Sequence, residues 1–358
     1  MTTKNSEYKS LRDISWDVPE PEYRENPALS YSTLSRYEKN GRFDSLSKLY
    51  EKLETPSLTF GQMVDTIITD GMDEFNNKFL VVDNNLDSDT AAIIKEIHNQ
   101  YCEFVKEFSE LPVDWVGDTA KSMGFWPADK WSNEARYKGL MKKGNIAEYW
   151  DILNASKDKY VISVDTYNKG LACVEALKTS DATKWYFGDD NNDGLERLYQ
   201  LKFKTNINGV DYRVMADEII VCHEEKWIRM IDLKSSHNLE WNFFKSFIDF
   251  NYHIQARLYA KVLSEVIKND DYFKDFKILD YHFIVVNNNT MTPCPLVWEY
   301  NDTFKRGTLT YGKNNQIVCR DPLEIGQELN KYLTDPQTVP FDISLTQPNN
   351  ITMKLKEL

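Results

Sequence analysis

Residues 230–236 read MIDLKSS, at the end of the run KWIRMIDLKSS. An apolar stretch of that kind reads as a strand, and side chains two apart on a strand share a face. Asp232 and Lys234 therefore point the same way. Read by itself, D-x-K is most simply an exposed ion pair; the residues on either side give it a second reading.

Fifteen residues upstream, Asp217 closes the strand VDYRVMAD, in which Val210, Tyr212, Val214 and Ala216 alternate on one face. A hairpin through CHEEKW brings Asp217 and Asp232 to the same end of adjacent strands. Two carboxylates so placed suit a hard cation such as Mg²⁺ or Mn²⁺, which takes oxygen ligands and keeps several waters. The backbone carbonyl of Leu233 supplies a further oxygen, and Lys234 faces the water or phosphate held there. Downstream, YHIQARLYAKVL places Gln255 and Tyr259 four apart, on one face of a helix. Both can contact phosphate oxygens without adding charge. By themselves they are a polar surface residue and a core tyrosine.

The combination AD…IDLKSS…QARLY resembles the PD-(D/E)xK nuclease superfamily, in its RecB-like branch, and is most similar there to the phage-type exonuclease VIII (RecE-like) and lambda exonuclease group. SYSTLSRYEK, PSLTFGQMVDTIITDG and DYHFIVVNNN are similar to other parts of that group. The resemblance covers roughly 30–70 and 195–335. It implies an α/β (α+β) fold: a restriction-endonuclease-like core with a central mixed β-sheet flanked by helices, plus a helical insertion. It also implies a metal-dependent DNA exonuclease that hydrolyses linear duplex DNA 5′→3′ in phage-type recombination or DNA processing. Asp217, Asp232, Lys234, Gln255 and Tyr259 match the catalytic positions, with Asp217, Asp232 and the Leu233 carbonyl as metal ligands. Glu196 stands where such enzymes often carry an acid before the first core strand, although a surface glutamate is the simpler reading.

One position departs from the family. Where the group usually has a His four residues after the glycine of the second helix, this chain has Asp65, four after Gly61, and no His precedes His98. A carboxylate there would be a third hard ligand, or else an exposed helical Asp. The alternatives to the exonuclease are an endonuclease or flap nuclease of the same fold, and a catalytically decayed DNA-binding or assembly module. The resemblance further admits a ring-shaped homo-oligomer and a single-strand annealing protein as partner, in the cytoplasm of a bacterial host of phage-encoded genes.

Composition bounds these readings. The chain has 358 residues, enough for a substantial core. Its net charge of −13 argues against coating nucleic acid by bulk attraction, but not against a local basic channel. Within 120–144, AKSMGFWPADKWSNEARYKGLMKKG, basic residues interleave with aromatics. Lys130, Trp131 and Arg136 there are candidate DNA contacts, or one solvated helical face. The five cysteines, at 102, 173, 222, 294 and 319, include no CxxC pair, so neither a zinc site nor an iron–sulfur cluster is expected. No apolar run long enough for a membrane span occurs. No GxxxxGK[ST] loop indicates a built-in motor.

By chain order, residues 1–27 read as a flexible tail and 28–358 as one nuclease domain. A helical N-terminal part leads into a helical insertion at about 72–190 and a core at about 195–335. Helices are expected from about Ser32, over TPSLTFGQMVDTIITDG, at 89–111 and at about 146–181. Asn208-Gly209 predicts a tight hairpin between the first two core strands. A helical stretch at 239–268 breaks near Asn251, further strands follow, and a last helix runs at about 321–334.

Overall fold

The protein is described by a computed structural model, which defines residues 8–39, 49, 55–83, 86–156, 159–188, 193–301, 308–311 and 315–334. Residues 1–7 of the expected tail and everything past 334 lie outside that set. In chain order the strands are β1 (Phe79–Val82), β2 (Tyr160–Ser163), β3 (Glu196–Ile207), β4 (Val210–Cys222) and β5 (Trp227–Ser236). They continue with β6 (Lys277–Ile278), β7 (Tyr281–Asn287), β8 (Leu296–Tyr300), β9 (Thr308–Tyr311) and β10 (Asn315–Val318). The chain divides into two compact units. Met1–Lys52, Ser180–Val286 and Pro295–Leu358 form the first; Leu53–Thr179 and Asn287–Cys294 form the second. The expected insertion at 72–190 falls largely within the second unit, which begins before the helix Pro56–Thr69, ends at Thr179 and also takes in Asn287–Cys294.

The first unit is built on a mixed six-stranded sheet, in the order β3-β4-β5-β7-β8, with β6 beside β5. β3, β4 and β5 run antiparallel in succession, and β6 runs parallel to β5. The β3–β4 turn is the expected one: Asn208 and Gly209 both have positive φ, 53° and 83°, the twist a two-residue hairpin requires. The helix Tyr252–Lys268 packs its apolar side on β3 and β4. It starts where expected, after the left-handed Asn251 (φ 55°). Ser30 caps the helix Tyr31–Lys39 by accepting from the Thr33 N–H.

The described part of the expected tail is packed. Leu11 and Tyr23 are buried, and Leu29 bridges to Tyr212 beside β4. Arg213, itself buried, fixes this stretch by donating to the carbonyls of Arg24, Asn26 and Ala28. Its guanidinium lies 4.6 Å from the Tyr23 ring centroid. A buried guanidinium needs acceptors, and here the N-terminal backbone supplies them.

In the second unit the expected helical block at 146–181 is interrupted. Helix Ile146–Ala155 leads into β2, which pairs in parallel with β1 before helix Val164–Thr179. The expected helix at 89–111 is shorter, Ser88–Tyr101. Ile94, Ile97, Val116, Leu140 and Trp150 are central to this unit's core.

A change of phase in the sheet positions the site. The core beneath the helix Tyr252–Lys268 takes Val210, Tyr212, Val214 and Ala216, and then Ile219 and Val221. The alternation slips between Ala216 and Ile219. Opposite the slip, Gln200 has φ 52° between the regular pairs Tyr199↔Glu218 and Leu201↔Ala216. A left-handed residue in a strand re-aims its neighbours, and the effect is to put Asp217 on the helix-covered face.

The neighbouring Glu218 goes to the opposite face and is 1% exposed. Burial pushes its carboxyl up to about 8, with Arg197 pulling it the other way. The folded chain therefore keeps a proton there that an unfolded glutamate releases near pH 4.3. Across that window the folded state binds more protons, so this group lowers stability as pH rises from about 4.5 to about 8. Glu218→Gln is expected to flatten that slope and to be more stable than the parent at about pH 9, by on the order of a few kcal/mol. Urea unfolding of both proteins at about pH 5 and pH 9 measures it, and parallel behaviour at the two values would refute the assignment.

Candidate active site

The β4–β5 ladder runs from Cys222↔Trp227 to Glu218↔Ile231. One step further on, Asp217 and Asp232 face each other across the two strands. There the backbone pairing gives way to a side chain, as Asp217 Oδ2 accepts the Leu233 N–H at 2.9 Å. Lys234, two residues beyond Asp232 on the same face, places its Nζ 2.5 Å from Asp232 Oδ2. From above, Gln255 donates its Nε2 hydrogen to Asp232 Oδ1. Both carboxylate oxygens of Asp232 are thus engaged, and the residue is only 2% exposed.

An aromatic wall surrounds this cluster. Lys234 Nζ lies 4.6 Å from the Tyr252 ring centroid, a favourable distance for a cation over a π face. Tyr259 and Tyr281 are buried, with rings 6.1 Å apart. Burial raises both phenols well above the ordinary tyrosine range, and the negative charge of Asp232 and Asp217 adds to it. For Lys234, burial alone would lower the pKa. Asp232, then Tyr252 and Asp217, outweigh it and hold the ammonium above the ordinary lysine range.

The structure thus brings together Asp217, Asp232, Lys234 and Gln255, with Tyr259 on the same helix. The Leu233 backbone lies beside Asp217, its N–H donating to that carboxylate. Glu196 is not part of this cluster. It pairs with Val221 in the sheet, four residues along β4 from Asp217, about 13 Å at the rise of a strand. There it accepts from the Ser10 hydroxyl and lies 3.1 Å from His223 Nε2. Asp65 lies on the helix Pro56–Thr69 of the second unit. Arg136 is 3% exposed, and its guanidinium is spent on the carbonyls of Trp126 and Ala128 and on Asn133 Oδ1. It is a loop clamp and not a surface contact, whereas Lys130 and Trp131 are exposed.

Tyr252 was not among the residues expected from sequence. Its signal was present, because Tyr252, Gln255 and Tyr259 fall at i, i+3 and i+7 on one helical face. Tyr281, from β7, had no local signal.

Among the described residues, no three His, Cys, Asp or Glu side chains gather where they could hold a metal ion. The donor set that is present, two carboxylates opposed across neighbouring strands, still suits Mg²⁺ or Mn²⁺, which commonly take one or two carboxylates and leave the remaining positions to water and substrate phosphate. No described helix is long and apolar enough to cross a membrane. No protein-family model and no curated protein matches the chain. Among solved structures, a crystal structure of a provisionally named exonuclease from Eubacterium rectale is similar at 12% identity, over 96% of this chain and 97% of that one, with a TM-score of 0.37. A likeness at that TM-score is too low to bear on fold or activity.

Proposed function

We propose that Asp217, Asp232 and Lys234 form the active site of a metal-dependent DNA nuclease. The observation that carries this reading is the convergence itself: two strands and one helix deliver two carboxylates, a lysine and a glutamine to one largely buried cluster. Gathering a buried Asp232 with the half-buried Asp217 and Lys234 has no advantage for stability over an apolar core, which favours a chemical role.

In this reading Asp217, Asp232 and the Leu233 carbonyl hold a divalent cation, which when bound activates water and neutralises phosphate charge. Gln255 fixes the Asp232 carboxylate through Oδ1, and the Leu233 N–H fixes Asp217. Lys234, kept charged by its neighbours, serves as a cation toward charge developing on the scissile phosphate and not as a base. Without a cation, the same ammonium compensates Asp232.

The finer assignment rests on the sequence resemblance: an exonuclease entering linear duplex DNA at its ends, 5′→3′, in phage-type DNA processing. A second reading, a DNA-binding module with a decayed site, is favoured by one observation, the near-complete burial of Asp232 without a metal-holding group of three acidic, histidine or cysteine side chains among the described residues. Linear duplexes labelled at either end, set against covalently closed circles, separate these readings. The exonuclease digests the linear DNA in Mg²⁺, spares the circle and stops in EDTA. Cutting of the circle would make it an endonuclease. Binding of DNA without any cleavage would favour the module.

A further inference from the structure

The second unit carries an aromatic surface that the active site does not use. Trp126 and Trp131 are 37% and 39% exposed, with ring centroids 4.7 Å apart, and Phe125 stacks on Trp126 at 4.9 Å and 14°. This arrangement is built and held. Trp126 has φ 48°, a left-handed conformation that is uncommon for a bulky residue and costs about 1–3 kcal/mol. The buried Arg136 guanidinium clamps the loop in that shape through the carbonyls of Trp126 and Ala128. Beneath the indole lies Gly139, where a Cβ would come within 2.6 Å of the ring, so only glycine lets the ring sit there.

We infer that the Trp131 end of this ring stack is a platform for unpaired bases of a single-stranded nucleic acid. Charge selects the occupant. Residues 120–144 hold six basic side chains against two acidic ones, in a chain whose net charge is −13; of the six, Arg136 is buried, and Lys121 and Lys143 pair with Asp129 and Asp87. Lys130 lies 5.6 Å from the Trp131 ring centroid, and Lys138 and Lys142 are exposed on either side of Gly139 in sequence. Lysines beside partly exposed indole rings suit a polyanion with flat apolar groups. Duplex bases are stacked on one another, so only an unpaired strand offers base faces together with phosphates. Preset rings lose little freedom on binding, which favours affinity. The inference deepens the nuclease reading and rests on it only for the choice of nucleic acid as polymer.

Fluorescein-labelled oligo(dT), titrated in EDTA and followed by anisotropy, tests it on the full chain. Trp131→Ala removes a surface ring and leaves the fold intact by circular dichroism. It should weaken oligo(dT) binding about tenfold, the effect of one lost base stack, while Trp131→Phe keeps most of the affinity and duplex binding stays unchanged. Unchanged oligo(dT) affinity in Trp131→Ala would overturn the inference. So would an equal loss for duplex, and so would a changed sedimentation coefficient with unaltered affinity, which would make the face a protein interface. Duplex digestion by the same preparations keeps the two ideas apart. Digestion by the parent with a Trp131-independent affinity rejects the platform alone. Trp131-dependent affinity without digestion supports the platform and rejects the nuclease.

Discussion

Asp232→Ala is expected to abolish digestion of linear DNA and to destabilise the fold by about 3–5 kcal/mol, the usual result of removing one partner of a buried ion pair. The large figure follows from what remains. Lys234 keeps its charge against the Tyr252 ring without its close carboxylate partner, leaving only Asp217 nearby, and Gln255 loses its acceptor. The double variant Asp232→Leu/Lys234→Met removes both charges and should recover much of that stability, because a well-packed apolar pair often equals a buried ion pair. It should recover none of the cleavage. Denaturant unfolding and DNA digestion on the same three proteins separate the structural from the chemical role. If the double variant were as unstable as Asp232→Ala, the ion pair would not be the source of the loss.

Lys234→Met alone should lower single-turnover cleavage by about 10²–10³, the loss typical of removing one group aimed at developing charge. DNA affinity should change little, since one cation among many phosphate contacts is lost. The pH dependence follows from the same geometry. The folded pKa lies above the unfolded one, so the stabilisation from this pair is fully present below about pH 10.4 and fades only as pH climbs through the higher folded value. Between about pH 6 and 9 the parent should therefore show no alkaline fall in rate from loss of this ammonium. An alkaline limb near pH 8 that vanished in Lys234→Met would mean that Lys234 titrates as a base, against the role proposed above.

Much of the core unit was legible because its signals are local. The Asn208-Gly209 turn, the alternation of Val210 to Ala216 and the helical spacing of Gln255 and Tyr259 each depend on a few neighbouring residues, and each stands in the structure as expected. Where the reading failed, the cause lies at long range. The N-terminal segment is polar, yet Arg213, almost two hundred residues later, holds its backbone. β1 and β2 are four-residue strands that pair across some eighty residues, and no periodicity so short marks a parallel pair within helical surroundings. Glu196 sat at a plausible distance along the chain from Asp217, but the antiparallel register carries it to the far end of the sheet. The phase change at Gln200 was invisible, because nothing about a glutamine announces a positive φ. Even so it decides on which face Asp217 emerges. Arg136 looked like a surface cation for the same reason, since only the fold shows that carbonyl groups enclose it.

Asp217→Asn, set beside the parent protein on end-labelled linear duplex in Mg²⁺, shows whether the Asp217 charge is needed for cleavage. The substitution keeps an oxygen to accept the Leu233 N–H and removes only the charge. The parent should digest steadily until EDTA stops it, and the folded variant at a rate at least about 10²-fold lower. Equal digestion by the two proteins, or none by folded parent protein in either Mg²⁺ or Mn²⁺, would contradict the proposed active site.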